Sequence, residues 1–322
     1  MMSVSRPSGE MMSILNRLAV EDAGLPDPTL LSPKEGRAQA AASNERWRVD
    51  LPEMARVQDV VVAGPAGNIP CRIMTPKGRT RGTILFIHGG GWAFCSMDTH
   101  DRCARLLAIE AKATIVLCDY RLAPENPYPA GLDDCRAVWS ALASGGGVFA
   151  GQSGPFAISG DSAGANLAMA LMLEDEPKPD CGLLFYGVYG ADFETESYSA
   201  CADGPGLSRE KMKRYWDWYA PDKLRNQPQV TPLCASDEAL KALPQLYLNA
   251  AEIDPLRSDS QLFFARLSAL GREDKFRLHG GVVHGFMQMT NVLEEARIAV
   301  ADAGEAFRFF TAEKKIHQTE SR

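Results

Sequence analysis

The chain has 322 residues, 45% hydrophobic and 23% charged, the profile of an ordinary globular protein long enough to bury one large core. Its formal net charge of −7 argues against nucleic acid or an anionic membrane as partner, since either calls for a basic patch. No stretch approaches the roughly 18 consecutive apolar residues of a membrane span, and the N-terminus MMSVSRPSGEMM lacks the apolar run of a signal peptide, so a cytoplasmic protein is expected.

In the first 50 residues Met11, Ile14, Leu15 and Leu18 recur at helical spacing. A polar stretch, SPKEGRAQAAASNERW, follows. Residues 1–50 are too few for an independent domain and are expected to form a helical cap. From about residue 56 short apolar runs alternate with longer helical stretches. The strand candidates are VQDVVV, NIPCRIM, TILFIHG, ATIVLCDY, PFAISGD, CGLLFYG, LYLNAAE and KFRLHGG. Within them TILFI, ATIVLC, PFAI, LLFY and LYLNA are nearly continuous apolar runs, as strands covered on both faces should be. Helices are predicted at about 99–112, 131–144, 163–173, 208–219, 258–270 and 292–312. In the fifth, Leu262, Phe263, Leu267 and Leu270 make one apolar face, and Gly271 is a natural stop.

This alternation predicts an α/β fold over residues 51–315, with a mostly parallel eight-stranded sheet, helices on both faces and a polar tail at 316–322. Residues 189–235 break the pattern and are too long for an ordinary connection. They are expected to be a second cap element. Their Tyr215, Trp216, Trp218 and Tyr219 either lid a site or pack the insertion onto the body, and both roles can hold. The eight cysteines contain no C-x-x-C pair, which argues against a zinc or thioredoxin-type site. Several lie in apolar stretches and read as small buried hydrophobes.

Gly160-Asp161-Ser162-Ala163-Gly164 is a G-x-S-x-G that follows the strand PFAIS and precedes the helical ANLAMALML. A serine on so tight a turn points its Oγ away from the sheet, and its crowded neighbours at 160 and 164 must lack bulk. Upstream, His88-Gly89-Gly90-Gly91-Trp92 follows the strand TILFI. Consecutive glycines free backbone N–H groups to converge on one spot, so Gly89, Gly90 and Gly91, with Ala163 after the serine, are candidate oxyanion donors. A phosphate loop would need G-K-[ST] or G-x-G-x-x-G, and neither is present.

A general base must follow the serine along the chain, after an acid. That order removes His88 and His100, and His317 lies in the polar tail. His284, in a loop beyond two glycines, is preferred to His279 at a strand end. For the acid, Asp254 lies just past the strand LYLNAAE. Glu252 is too close to the strand, and Asp259 opens the next helix. The acid would hold the imidazole in the tautomer that accepts the serine proton.

HGGGW, GDSAG, DPLR and HGF, with Asp119-Tyr120-Arg121-Leu122-Ala123-Pro124-Glu125 and Pro129-Ala130, resemble the bacterial hormone-sensitive-lipase family of α/β-hydrolases over about residues 56–310. The resemblance implies a carboxylesterase acting on small-molecule esters of short and medium acyl groups, with no metal or cofactor. It implies a lid built from the N-terminal helices and the insertion, and oxyanion donors at Gly90, Gly91 and Ala163. It implies that Asp119 and Glu125 hold loops around the site, and that two copies can pair along the sheet edge. Arylformamidases carry related HGG and G-x-S-x-G motifs, so an amide hydrolase is the alternative, against which DPLR and YRLAPE weigh. Plant hormone receptors of this fold lack the catalytic histidine, whereas His284 is present here.

Overall fold

The computed structural model describes residues 6–174 and 177–320, with side chains described through residue 312. The chain begins with α1 (Gly9–Glu21) and α2 (Pro33–Asn44). Strands β1 (Arg56–Gly64) and β2 (Gly67–Thr75) form a hairpin, and β3 (Thr83–Ile87) follows. Alternation then runs through α3 (Asp101–Ala111), β4 (Thr114–Cys118), α4 (Ala130–Ser144), β5 (Phe156–Asp161), α5 (Ala163–Leu173) and β6 (Cys181–Phe185). The insertion holds α6 (Glu196–Ala200) and α7 (Arg209–Tyr219), and α8 (Asp237–Lys241) comes after it. The chain closes with β7 (Gln245–Ile253), α9 (Arg257–Ala269), β8 (Lys275–Val283) and α10 (Glu294–Glu320).

Among the described residues the strands make one sheet in the order β1-β2-β4-β3-β5-β6-β7-β8. β2 is antiparallel to both β1 and β4, and the other pairings are parallel. The continuous apolar runs are explained by cover on two sides. In β3, Ile84 and Phe86 join the core layer that also holds Leu107 of α3 and Phe307 of α10. Leu85 and Ile87 join the opposite layer with Val138 of α4 and Leu167 of α5. This is the period of two of a strand, and each such buried side chain contributes roughly 1.5–3 kcal/mol. α5 is buried from Ala163 to Met172, which is why its sequence is apolar all round.

β4 lies on one side of β3 and β5 on the other. The direction of travel across the sheet therefore reverses between them, and the loops leaving β3 and β5 open a crevice there. Ligands bind α/β sheets at such points.

The polar stretch after α1 is itself helical, as α2. Ser32 Oγ accepts the Glu35 N–H at 3.4 Å and donates to Glu35 Oε2 at 2.6 Å, with Pro33 in the first turn. Ser32 is thus the N-cap of α2, a start signal that hydrophobic periodicity does not register. Leu262 does not belong to the buried face of α9. It is half exposed, while Ser260, Phe263 and Leu267 form the stripe that meets the core. The final helix continues past residue 312 to Glu320. Of the expected tail, residues 321–322 and the His317 side chain lie outside the described residues. Among the described residues no helix is long and apolar enough to cross a membrane.

Candidate active site

Ser162 occupies the turn between β5 and α5 with φ 53° and ψ −119°. A non-glycine residue held there costs on the order of 1–3 kcal/mol, which the surrounding structure must supply. The surroundings are tight. A Cβ on Gly164 would stand 2.1 Å from the Ile87 carbonyl oxygen, so only glycine lets α5 approach β3 this closely.

His284 follows β8, and its Nε2 lies 2.9 Å from Ser162 Oγ. Its Nδ1 lies 2.7 Å from Asp254 Oδ2. Asp254 stands one residue past the end of β7, is fully buried, and accepts the Leu256 N–H on its other oxygen at 2.8 Å. A carboxylate beside Nδ1 fixes the tautomer that leaves Nε2 free to accept a proton from the serine. The edge of the Tyr186 ring packs on the imidazole, with centroids 4.9 Å apart. Thus β5, β7 and β8, three neighbouring parallel strands with β6 among them, deliver three residues that are far apart in sequence to one line.

The glycines after β3 divide into two kinds. Gly89 donates its N–H to Asp161 Oδ1 at 2.8 Å. It is thereby tied to the serine turn and is not a free donor, which removes it from the expected oxyanion set. No backbone acceptor is found among the described residues for the N–H groups of Gly90, Gly91 or Ala163. A Cβ on Gly91 would stand 2.5 Å from the Tyr215 ring, so the insertion presses directly on this loop.

The other candidate residues have structural surroundings. His88 is buried, stacks on Tyr120 at 4.4 Å, and is pushed down to about 3, first by burial and then by the neighbouring His100 charge. His279 is buried with Nδ1 2.7 Å from Glu295 Oε1. Glu252 accepts the Gly281 N–H, and Asp259 accepts those of Tyr189 and Gly190 at the start of the insertion. Asp119 accepts the Met97 N–H at 2.6 Å.

Three features of the site are absent from the sequence motifs. His100 Nε2 stands 3.0 Å from the same Asp161 oxygen that Gly89 uses. Burial alone would raise the Asp161 carboxyl, but the His100 charge, its hydrogen bond and the Gly89 N–H hold it below the usual carboxylate range. Arg37 of α2 donates from Nε to the Ala93 carbonyl at 2.8 Å and from Nη2 to the Ala123 carbonyl at 2.7 Å. It also pairs with both carboxylate oxygens of Glu125. Finally, Ser162 and His284 open into a cavity of about 360 Å³ to which both caps contribute, including Leu18, Arg46 and Trp47 from the first and Leu207, Met212 and Tyr215 from the second. Deeper in the insertion, Trp216 and Tyr219 pack on Trp92 at 4.9 and 4.2 Å, while Tyr215 lines the cavity. No three His, Cys, Asp or Glu side chains among the described residues are grouped as metal ligands.

Residues 84–288 match the alpha/beta hydrolase fold family. A carboxylesterase, NlhH, of Mycobacterium tuberculosis is 34% identical over 76% of this chain and 80% of its own length. An acetyl esterase of Salmonella paratyphi B is 30% identical over 97% of this chain and 96% of its own. Among solved structures, ester-hydrolase EH1AB1 from the metagenome of Lake Arreo superposes with a TM-score of 0.87 at 30% identity, covering 94% of this chain and 98% of that one. A thermostable esterase from Pseudomonas putida ECU1011 gives 0.87 at 29% identity, covering 95% and 98%.

Proposed function

This chain belongs to the alpha/beta hydrolase fold family, in its hormone-sensitive-lipase-like branch, and is an ester hydrolase; we propose that it cleaves short to medium acyl esters through a triad of Ser162, His284 and Asp254. The observation that carries this reading is the unbroken line from Ser162 Oγ to His284 Nε2 at 2.9 Å and from His284 Nδ1 to Asp254 at 2.7 Å, opening into the cavity between the caps.

In this reading Ser162 Oγ attacks the ester carbonyl carbon while His284 Nε2 takes the hydroxyl proton. The carbonyl oxygen becomes an oxyanion held by the N–H groups of Gly90, Gly91 and Ala163, the last at the positive end of α5. On collapse the alcohol leaves with the proton from His284, and the acyl group stays on the serine. Water then attacks the acyl-enzyme, gives a proton to His284, and releases the acid and the free serine. Asp254 steadies the imidazolium through its contact with Nδ1.

Ser162→Ala should lower ester turnover by roughly 10³-fold or more with the fold intact by circular dichroism. Near-normal activity in that variant would remove Ser162 from the mechanism. Running matched ester and amide substrates in the same assay tests the choice of ester over amide chemistry. Two further elements of this reading rest on less. Phe309 of α10 is exposed beside Lys275 of the outer strand β8 and supports pairing of two copies there. The eight cysteines form no disulfide among the described residues, which supports a reducing, cytoplasmic setting.

A further inference from the structure

The polar contacts of the His284 ring grip it at two atoms, Nδ1 by Asp254 and Nε2 by Ser162. A planar ring held at two points can still roll about the line that joins them. The Nε2 lone pair lies in the ring plane and off that line, so a roll carries it away from the serine hydroxyl. Hydrogen bonds weaken as they bend. A contact away from the line is needed to fix the plane of the ring.

Tyr186 supplies such a contact. Its ring centroid lies 4.9 Å from that of His284, with the planes 64° apart, an arrangement that aromatic pairs favour. Phe286 meets the same tyrosine ring at 5.5 Å. His284 and Phe286 flank Gly285, whose φ of 76° makes the bend between them. The loop after β8 therefore lays two of its side chains on one ring. Tyr186 and Phe286 are fully buried, and Tyr186 does not line the cavity.

The backbone under that ring is itself constrained. Tyr186 is the first residue after β6, which runs between the serine strand β5 and the acid strand β7. Its φ is 36°, on the left-handed side that bulky residues rarely enter. A glycine follows at 187, yet the bend falls on the tyrosine. Both Asn249 oxygens of β7 accept the Tyr186 N–H, the carbonyl at 3.0 Å and Oδ1 at 3.1 Å. On either side of it, the Phe185 carbonyl accepts the Ser162 N–H at 2.9 Å and the Ser162 carbonyl accepts the Val188 N–H at 3.3 Å. The bend is thus stapled to the serine turn and to β7 together. Backbone held in a sparsely populated region persists only where its surroundings enforce it, and such residues cluster at active sites.

Resting on the triad proposed above, we infer that Tyr186 is a positioning residue whose ring fixes the plane of the His284 imidazole. It acts through His284 and touches no substrate. Acylation and deacylation both pass a proton through that imidazole, so both depend on it.

The test is steady-state hydrolysis of p-nitrophenyl butanoate by Tyr186→Leu, alone and combined with His284→Ala. Tyr186→Leu should lower kcat by roughly 10- to 100-fold and leave KM within about twofold. Tyr186→Phe keeps the ring and should bring kcat back to within about threefold of wild type. In the His284→Ala background there is no imidazole to orient, so Tyr186→Leu should change the residual turnover by less than about twofold. A ring that only packed the core would lower both backgrounds alike. If Tyr186→Leu does not fold, Phe286→Leu decides. It removes the second ring on Tyr186 and should lower kcat by about 3- to 10-fold, again only where His284 is present. The inference is overturned if the variant that decides leaves kcat within about twofold of wild type, or lowers the His284→Ala background by the same factor. Failure of Tyr186→Phe to restore kcat overturns it as well. Near-normal turnover in His284→Ala alone would instead sink the triad itself.

Discussion

Asp161 sits between Gly160 and Ser162, where the G-x-S-x-G pattern admits any residue, yet its carboxylate joins two loops. It receives the Gly89 N–H at 2.8 Å and faces His100 Nε2 at 3.0 Å, so the glycine loop after β3 is bolted to the serine turn after β5. Asp161→Ala frees Gly89 and lets the neighbouring donors drift. A misplacement near 1 Å costs on the order of 10²-fold in rate, so kcat should fall by about that factor while KM changes little. Asp161→Asn keeps an oxygen for Gly89 and should fall between. Equal kcat values for all three proteins would show that the bolt is irrelevant to turnover. Asp259 offers a different reading of burial. Desolvation pushes its carboxyl up to about 7 against the pull of the Gly190 and Tyr189 N–H groups, with Asp254 adding to the rise. An unfolded aspartate titrates near about 3.9. Between those values the folded chain keeps a proton the unfolded chain has released, so this group stabilises the fold fully below about pH 4 and the contribution is lost as pH rises through about 7. Asp259→Asn should therefore show a flatter fall of Tm over that interval. Parallel curves for variant and wild type would contradict it.

At the scale of elements, the two caps are fastened both to the body and to each other. Arg37 carries α2 onto the loop that follows the glycines, through the Ala93 carbonyl, and onto the neighbouring loop through Ala123 and Glu125. Arg214 of α7 reaches Thr29 Oγ1 at 2.8 Å and Asp27 Oδ2 at 3.1 Å, which ties the insertion to the segment ahead of α2. Arg37→Met should make the first cap more open to limited proteolysis and lower kcat by roughly tenfold, since the donor loop loses a brace while the core remains packed. Arg37→Lys should not restore the rate, because one ammonium does not span three acceptors in a plane as a guanidinium does. Restoration by lysine would mean that charge alone matters there.

At the scale of the whole molecule, the parts legible in the sequence were those whose cause is local. TILFI and ATIVLC could be read as buried parallel strands because both faces of β3 and β4 are covered. Ser162, His284 and Asp254 could be picked out because each lies just past a strand, where the fold leaves side chains free to converge. What escaped was set at a distance. Arg37 meets its partners 56 to 88 positions away, and no local pattern marks it. Gly89 looked equivalent to Gly90 and Gly91 until Asp161, 72 positions on, claimed its N–H. Leu262 suited an apolar stripe by spacing, but α9 is oriented by what its first turn must grip, the backbone of Tyr189 and Gly190, and that rotation turns Leu262 outward. Helix α2 was hidden because its stability comes from caps and tethers more than from an apolar face.

The line from Ser162 to His284 spans 122 positions of sequence, with Asp254 only 30 positions before the histidine. A ribosome releases the serine, its turn and the donor glycines long before the imidazole exists. Throughout that interval the nascent chain holds a hydroxyl with nothing to remove its proton. On the proposed mechanism, hydrolytic power would arrive only when β8 docks on β7 at the edge of the sheet and brings the His284 loop to Ser162. On that mechanism a chain halted short of that strand, or cut there by a protease, would be an esterase in outline and inert in practice.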